Sequence, residues 1–284
     1  MIRPARIEDR EQIKALWMQA FEDDEAATDH YFAHRHRDRY MLVDMEGGQL
    51  RAMLTMLPVD LVMGKHILPA RYFFAIATGL HWRGQGISTK LILAAEAHCQ
   101  QQGAAASILV PAGGGLFNFY GKRGYVTDFF YRVEKYSPDE LAACPLEHSL
   151  LPITGDAMYC LREKAFSGSR LFLRWDTEAL DYIIASAAAF GASLLRFKTA
   201  EGEGYAYCEW TGDDLTVKEL VLAGIGKSEA VAILHHHLHA ASYTLRLAGG
   251  KEEQASLIPF GMIKAFMPLP KAKGTEPYMS FAKD

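Results

Sequence analysis

No apolar run in the 284 residues approaches the roughly 18 needed to cross a bilayer as a helix. The N-terminus also lacks the basic-then-apolar pattern of an export signal. Cysteine is scarce: Cys99, Cys144, Cys160 and Cys208 are scattered and form no Cys-x-x-Cys pair. They read as reduced, mostly buried thiols of a cytoplasmic protein. An excess of positive charge is missing as well. Thirty Lys and Arg face 34 Asp and Glu, a net charge of −4, which argues against a general nucleic-acid binder and fits a cationic small substrate. What remains is ordinary: half the residues are hydrophobic and 23% charged, enough for a large core and a length comfortable for two domains.

Against that background one stretch stands out. Tyr72 to Thr78 is nearly all apolar and reads as a buried strand. Arg83-Gly84-Gln85-Gly86-Ile87-Ser88 follows, and then Leu91, Ala94, Ala95 and His98 mark one face of a helix that Gly103 ends. Closely spaced glycines let successive backbone N–H groups turn towards one anion. The helix start adds unpaired N–H groups and a partial positive charge, and Arg83 a fixed one. A Gly-x-Gly before a helix is equally often a tight turn. Two phosphate loops are excluded: no Lys-Ser/Thr ending serves a nucleoside triphosphate, and no third glycine completes a dinucleotide fingerprint.

The remaining Arg-x-x-Gly-x-small pattern resembles the acyl-coenzyme A pyrophosphate loop of the GNAT (GCN5-related) N-acetyltransferases, with Ser88 where the family prefers Gly or Ala. A second motif joins it. Phe119-Tyr120-Gly121-Lys122-Arg123-Gly124-Tyr125 resembles the family's Phe-Tyr-x-x-x-Gly-Phe/Tyr signature. A phenol stays protonated at neutral pH, so Tyr120 can give a proton to a leaving thiolate. The Tyr-Gly-x-x-Gly-Tyr form, preceded by Gly113-Gly114-Gly115, resembles the enhanced-intracellular-survival type of tandem-GNAT protein.

The resemblance implies an α/β, mixed-sheet GNAT fold over residues 1–136, holding acetyl-CoA, with splayed fourth and fifth strands. The backbone of Ile76, Ala77 and Thr78 would contact the pantetheine arm as a substitute strand, and residues 83 to 88 the diphosphate. The activity implied is transfer of an acetyl group to a primary amine of a small cationic substrate, directly, in a ternary complex. A non-catalytic acyl-CoA-binding module and a tandem scaffold are the alternatives. No metal is implied, and a homo-oligomer is left open.

In chain order, a helical stripe of Ile13, Leu16, Trp17, Ala20 and Phe21 precedes the acidic run Glu22-Asp23-Asp24-Glu25. That run reads as a solvated loop first and as the rim of an amine site second. Strands at 40–44 and 50–62 turn at Gly47-Gly48 and Gly64. Residues 105–110 read as a further buried strand, and a short helix and a strand at 126–136 complete this half. A connector follows to about Asp156. A helix from Trp175, three strands, a helix from about Ser228 and a strand from Tyr243 then repeat the first half's order. Residues 137–284 therefore read as a degenerate GNAT-like domain. No basic residue sits before Gly224-Ile225-Gly226, so this second unit should not hold the cofactor.

Of the run His235-His236-His237 and His239, only His235 and His239 share a helix face, which reads as a solvated helix end. Asp128, Glu134, Glu209 and Glu219 are strand carboxylates among which spacing does not choose a base. The survival-type resemblance points instead to the terminal carboxylate, Asp284. Pro277 to Phe281 is apolar enough to dock a tail, with a frayed end the stronger expectation.

Overall fold

The computed structural model describes residues 1–141, 147–249 and 257–279. β1 (Ile2–Pro4) leads to α1 (Arg10–Phe21), where Ile13, Leu16 and Trp17 of the apolar stripe are buried. Asp24 starts α2 (Glu25–His34), its carboxylate accepting from the Ala27 amide at 2.7 Å as a good N-cap does. β2 (Met41–Glu46), β3 (Gln49–Met63) and β4 (His66–Thr78) follow as an antiparallel meander. Then come α3 (Ile87–Gln101), β5 (Ala106–Leu109), α4 (Gly114–Gly121) and β6 (Val126–Tyr136).

The connector expected from Ser137 contains a short β7 (His148–Leu151). It gives way to two elements the sequence reading passed over, α5 (Gly155–Phe166) and β8 (Phe172–Arg174). α6 (Thr177–Phe190) is capped by Asp176 and stopped by Gly191 at φ 74°. β9 (Ser193–Thr199), β10 (Glu203–Thr211), β11 (Asp214–Ala223), α7 (Lys227–Leu238), β12 (Ser242–Ala248) and β13 (Ile258–Ala265) complete the described chain.

All thirteen strands of the described residues belong to one mixed sheet, ordered β1-β2-β3-β4-β5-β13-β6-β12-β11-β10-β9-β7, with β8 beside β3. The second half repeats the first. β11 and β12 pair in parallel from Asp214–Ser242 to Val217–Leu245, as β4 and β5 do at Arg71–Ser107 and Tyr72–Ile108. This is a GNAT-like fold followed by a second, degenerate GNAT-like unit.

One expectation is corrected. The strand at 126–136 does not complete the first half, because β13 from the far end of the chain lies between β5 and β6. Lys264 of β13 also reaches Glu96 of α3 at 2.6 Å. Strand pairing is a non-local choice, and β13 wins this slot with Met262 and Ile263, both buried. A shared core binds the halves: Leu57, Leu61 and Tyr72 pack in one cluster with Leu173, Trp175 and Leu180. The scattered cysteines are split: Cys99 and Cys208 are buried, Cys160 is exposed, and Cys144 lies outside the described residues. Among the described residues, no helix is long and apolar enough to cross a membrane.

Candidate active site

β4 and β5 are paired only through Arg71–Ser107 and Tyr72–Ile108. Beyond that point they separate, and β4 then bulges against β3. Met53 faces Ala77 and Thr55 faces Phe74, so Leu54 opposes both Ala75 and Ile76. Ala75 takes φ 51°, a left-handed conformation that costs a non-glycine residue about 1–2 kcal/mol. Bulges of this kind re-aim a strand and end its pairing, and strain of this kind gathers at functional sites.

Between the parted strands lies a cavity of about 400 Å³. Its walls include Phe74, Ala75 and Ile76 from β4, Leu109 and Val110 from β5, and Leu116 and Tyr120 from α4. Trp17 and Phe21, which the sequence presents simply as α1 core, contribute as well. Of the expected strand contacts, Ile76 lines the cavity. Ala77 and Thr78 continue the same strand towards the glycine loop.

That loop is open to solvent. Residues 83 to 86 are exposed, whereas Ile87 is buried as the anchor of α3. Gly84 and Gly86 have φ 77° and 73°, which explains glycine at both. No protein atom lies within 4 Å of the place where either would carry a Cβ, and no side chain caps α3. The amide groups that every helix start leaves without intrahelical partners therefore face outward here. Arg83 Nε donates to the Thr78 carbonyl at 3.2 Å, fixing the cation beside the strand end.

Tyr120 is buried on α4 and lines the cavity. Burial pushes its phenol up to about 12, against the pull of Arg123. The two motifs are physically joined, since Arg123 Nε donates to Thr89 Oγ1 in the first turn of α3 at 3.2 Å.

The acidic run divides between the two readings given to it. Asp24 is a helix cap and Glu25 begins α2, while Glu22 and Asp23 line the cavity. Asp23 also accepts from the Trp17 indole at 2.8 Å. The other carboxylates are engaged elsewhere. Asp128 pairs with Arg170 at 2.5 Å and Glu209 with Lys218 at 3.1 Å. Glu134 meets Arg132, Tyr136 and Lys227. Glu219 is buried against Arg162, Tyr205 and Tyr278. Asp284 lies outside the described residues.

The frayed end expected at 277–281 is corrected as far as it is described. Tyr278 is buried, stacks on Phe166 at 3.6 Å and exchanges backbone hydrogen bonds with Leu171 and Leu173. The stacked ring and the bond to Glu219 explain why this segment docks. The helix start in the second half is also unlike the first. Gly224 packs against the Glu201 carbonyl, and the Glu229 carboxylate sits 3.4 Å from the Gly226 amide. A negative charge thus occupies the position where an anion would bind.

The histidine run departs from expectation. His235 Nδ1 lies 2.7 Å from the Tyr243 hydroxyl. His236 and His237, which a helical wheel separates, both meet His148 of β7.

The family model described as "Acetyltransferase (GNAT) domain" matches residues 1–127. No curated protein sequence matches the chain. Solved structures share its fold. A GCN5-related N-acetyltransferase from Anabaena variabilis ATCC 29413 is 15% identical with a TM-score of 0.76, covering 93% of this chain and 72% of that one. A GCN5-related N-acetyltransferase from Kribbella flavida is 14% identical with a TM-score of 0.72, covering 93% and 71%. Eis1 from Mycobacterium abscessus is 14% identical with a TM-score of 0.67, covering 93% and 73%. Residues 1–127 thus match the model of the GNAT acetyltransferase family, and the described chain carries the mixed-sheet fold of these GNAT structures and of Eis1.

Proposed function

We propose that the protein is an N-acetyltransferase that moves an acetyl group from acetyl-CoA to a primary amine of a small cationic substrate, in a ternary complex. The observation that carries this reading is a continuous arrangement. A cavity at parted strands, walled by Ile76 and Tyr120, leads along Ala77 and Thr78 to an uncapped helix start beside Arg83. Acetyl-CoA supplies the thioester that is cleaved. The amides of residues 84 to 88 and Arg83 hold its diphosphate, and the open backbone edge of Ile76 to Thr78 holds its arm. In this reading residues 1–136, in a sheet that β13 completes, hold the cofactor, and the GNAT-like unit within 137–284 does not bind it.

The chain's residues then have separate tasks. Glu22 and Asp23 at the cavity draw in a cation by focusing negative potential there. The cavity walls hold the amine against the acyl carbon, a positioning effect. Asp284 is the proton acceptor in this reading. Described residues up to Met279 run parallel to β8 towards Trp175, whose ring is 5.4 Å from that of Tyr72 at the cavity wall.

Tyr120 donates a hydrogen bond to the departing sulfur. With its phenol at about 12 and a thiol near 8.5, complete transfer is uphill, so its main service is to stabilise developing thiolate charge. Coenzyme A release, followed across a panel of polyamines, aminoglycosides and amino acids, tests the proposal. Turnover on at least one amine supports it; binding without turnover on all of them identifies a cofactor-binding module instead.

A further inference from the structure

The histidines at the far edge of the sheet lie outside the acetyl-transfer site and have no part in it. His148 stands at the start of β7, the edge strand; His236 and His237 stand in the last turn of α7. One ligand-capable atom from each lies within 4.8 Å of the other two. The Nε2 atoms of His148 and His237 are 2.9 Å apart, and the His148 ring sits edge-on to both others, at centroid distances of 5.4 and 5.1 Å.

We propose that His148, His236 and His237 form a binding site for a first-row divalent metal ion, of which zinc is the best fit. Two imidazole nitrogens on a tetrahedral zinc, with bonds of about 2.1 Å, stand about 3.4 Å apart. The His148–His237 pair must open by about half an ångström, and the third ligand atom already lies within 4.8 Å of both, so the adjustment is within reach of side-chain rotation at an exposed site.

Three further features favour a metal over a chance meeting of rings. Imidazole selects zinc, copper or nickel, whereas calcium and magnesium prefer oxygen. The site lies at the carboxyl end of α7, where the helix dipole favours a cation. Its three ligands come from two elements 88 residues apart in sequence, so the fold, not the local run alone, assembles it. Three protein ligands leave the fourth position to solvent. Bound there, the ion fastens the edge strand β7 to α7.

The test is a titration of the full chain, without an added histidine tag and after treatment with a chelator, with zinc alone. The expected result is one ion per chain, a raised melting temperature as for any ligand that binds only the folded state, and an affinity at least about tenfold weaker in His148→Ala. His239→Ala leaves affinity unchanged, and circular dichroism checks that each variant is folded. Zinc affinity and stoichiometry unchanged by His148→Ala would reassign the binding to the histidine run by itself. Absence of stoichiometric binding to the parent chain would equally overturn the site.

Discussion

The guanidinium of Arg123 bonds to the hydroxyl of Thr89, Nε to Oγ1, at 3.2 Å. The turn after Tyr120 is thereby pinned to the helix start proposed to hold phosphate. Arg123 also lies over the Phe119 ring, 3.4 Å from its centroid. Arg123→Leu should therefore lower kcat more than it raises the KM for acetyl-CoA, because it loosens the phenol and leaves the glycine loop alone. Arg123 also donates to the Phe119 carbonyl; loss of even one hydrogen bond from a charged donor costs about 1.5–3 kcal/mol, and thermal melting should show a loss of at least that order. An unchanged kcat with weakened cofactor affinity would mean that Arg123 serves the loop instead.

Gly86 allows a second prediction. Its φ of 73° costs a β-carbon-bearing residue about 1–2 kcal/mol, although no atom stands within 4 Å to clash with it. Gly86→Val should thus fold with modestly reduced stability. Acetyl-CoA binding, read by calorimetry, should be lost, because the side chain would cover amides that a phosphate must approach. Affinity equal to that of the parent would remove the loop from the cofactor site.

For Tyr120→Phe the expected fall in turnover is about two to three orders of magnitude, the usual worth of one donor that stabilises charge developing in the transition state, with cofactor affinity nearly constant. Because burial holds the phenol at about 12, the parent's rate should show no loss from phenol ionisation between pH 6 and about 10. A decline near pH 9 that disappears in Tyr120→Phe would contradict that environment.

Much of this site was legible because local patterns carry it. The strand 72–78, the glycines at 84 and 86, and the aromatic segment at 119–125 each have a short-range physical signature. The bulge at Ala75 has none, since an alanine at φ 51° is held by its surroundings and not by its own preference. Trp17 and Phe21 read as core because a helix stripe looks the same whether it faces a sheet or a cavity. β13 (Ile258–Ala265) was not read as a strand, and its place between β5 and β6 depends on partners more than 100 residues away in sequence. α5 was within reach: Met158, Leu161 and Ala165 fall at helical spacing after Thr154, whose side chain accepts from the Ala157 amide. Its proximity to Pro152 made the stretch look like a connector.

Glu219 is fully buried, and its two oxygens accept from Arg162, Tyr205 and Tyr278. Removing one partner of a buried ion pair typically costs about 3–5 kcal/mol, while replacing both with apolar residues costs far less. Glu219→Leu should accordingly show a loss of that size in urea unfolding. Arg162→Leu combined with it should recover a large part. If the double variant is weaker than both single ones, the cluster contributes to stability well beyond pair compensation.

Glu134 offers a prediction with a sign fixed by pH. It lies between Arg132 on its own strand and Lys227 at the start of α7, near the junction of β6 and β12. Burial opposes its charge, but bonds from Lys227, Arg132 and Tyr136 prevail and hold the carboxyl at about 2, below the ordinary 4.5. A folded value below the unfolded one means that the group stabilises the fold above the unfolded value. That stability fades as pH falls through the folded one. The difference in unfolding free energy between the parent and Glu134→Gln should be constant from pH 7 to about 5. It should shrink between about 4.5 and 2 and be absent below. Other acid-sensitive groups are common to both proteins and cancel in the difference. A gap as wide at pH 3 as at pH 7 would show that the glutamate acts through packing and not through its charge.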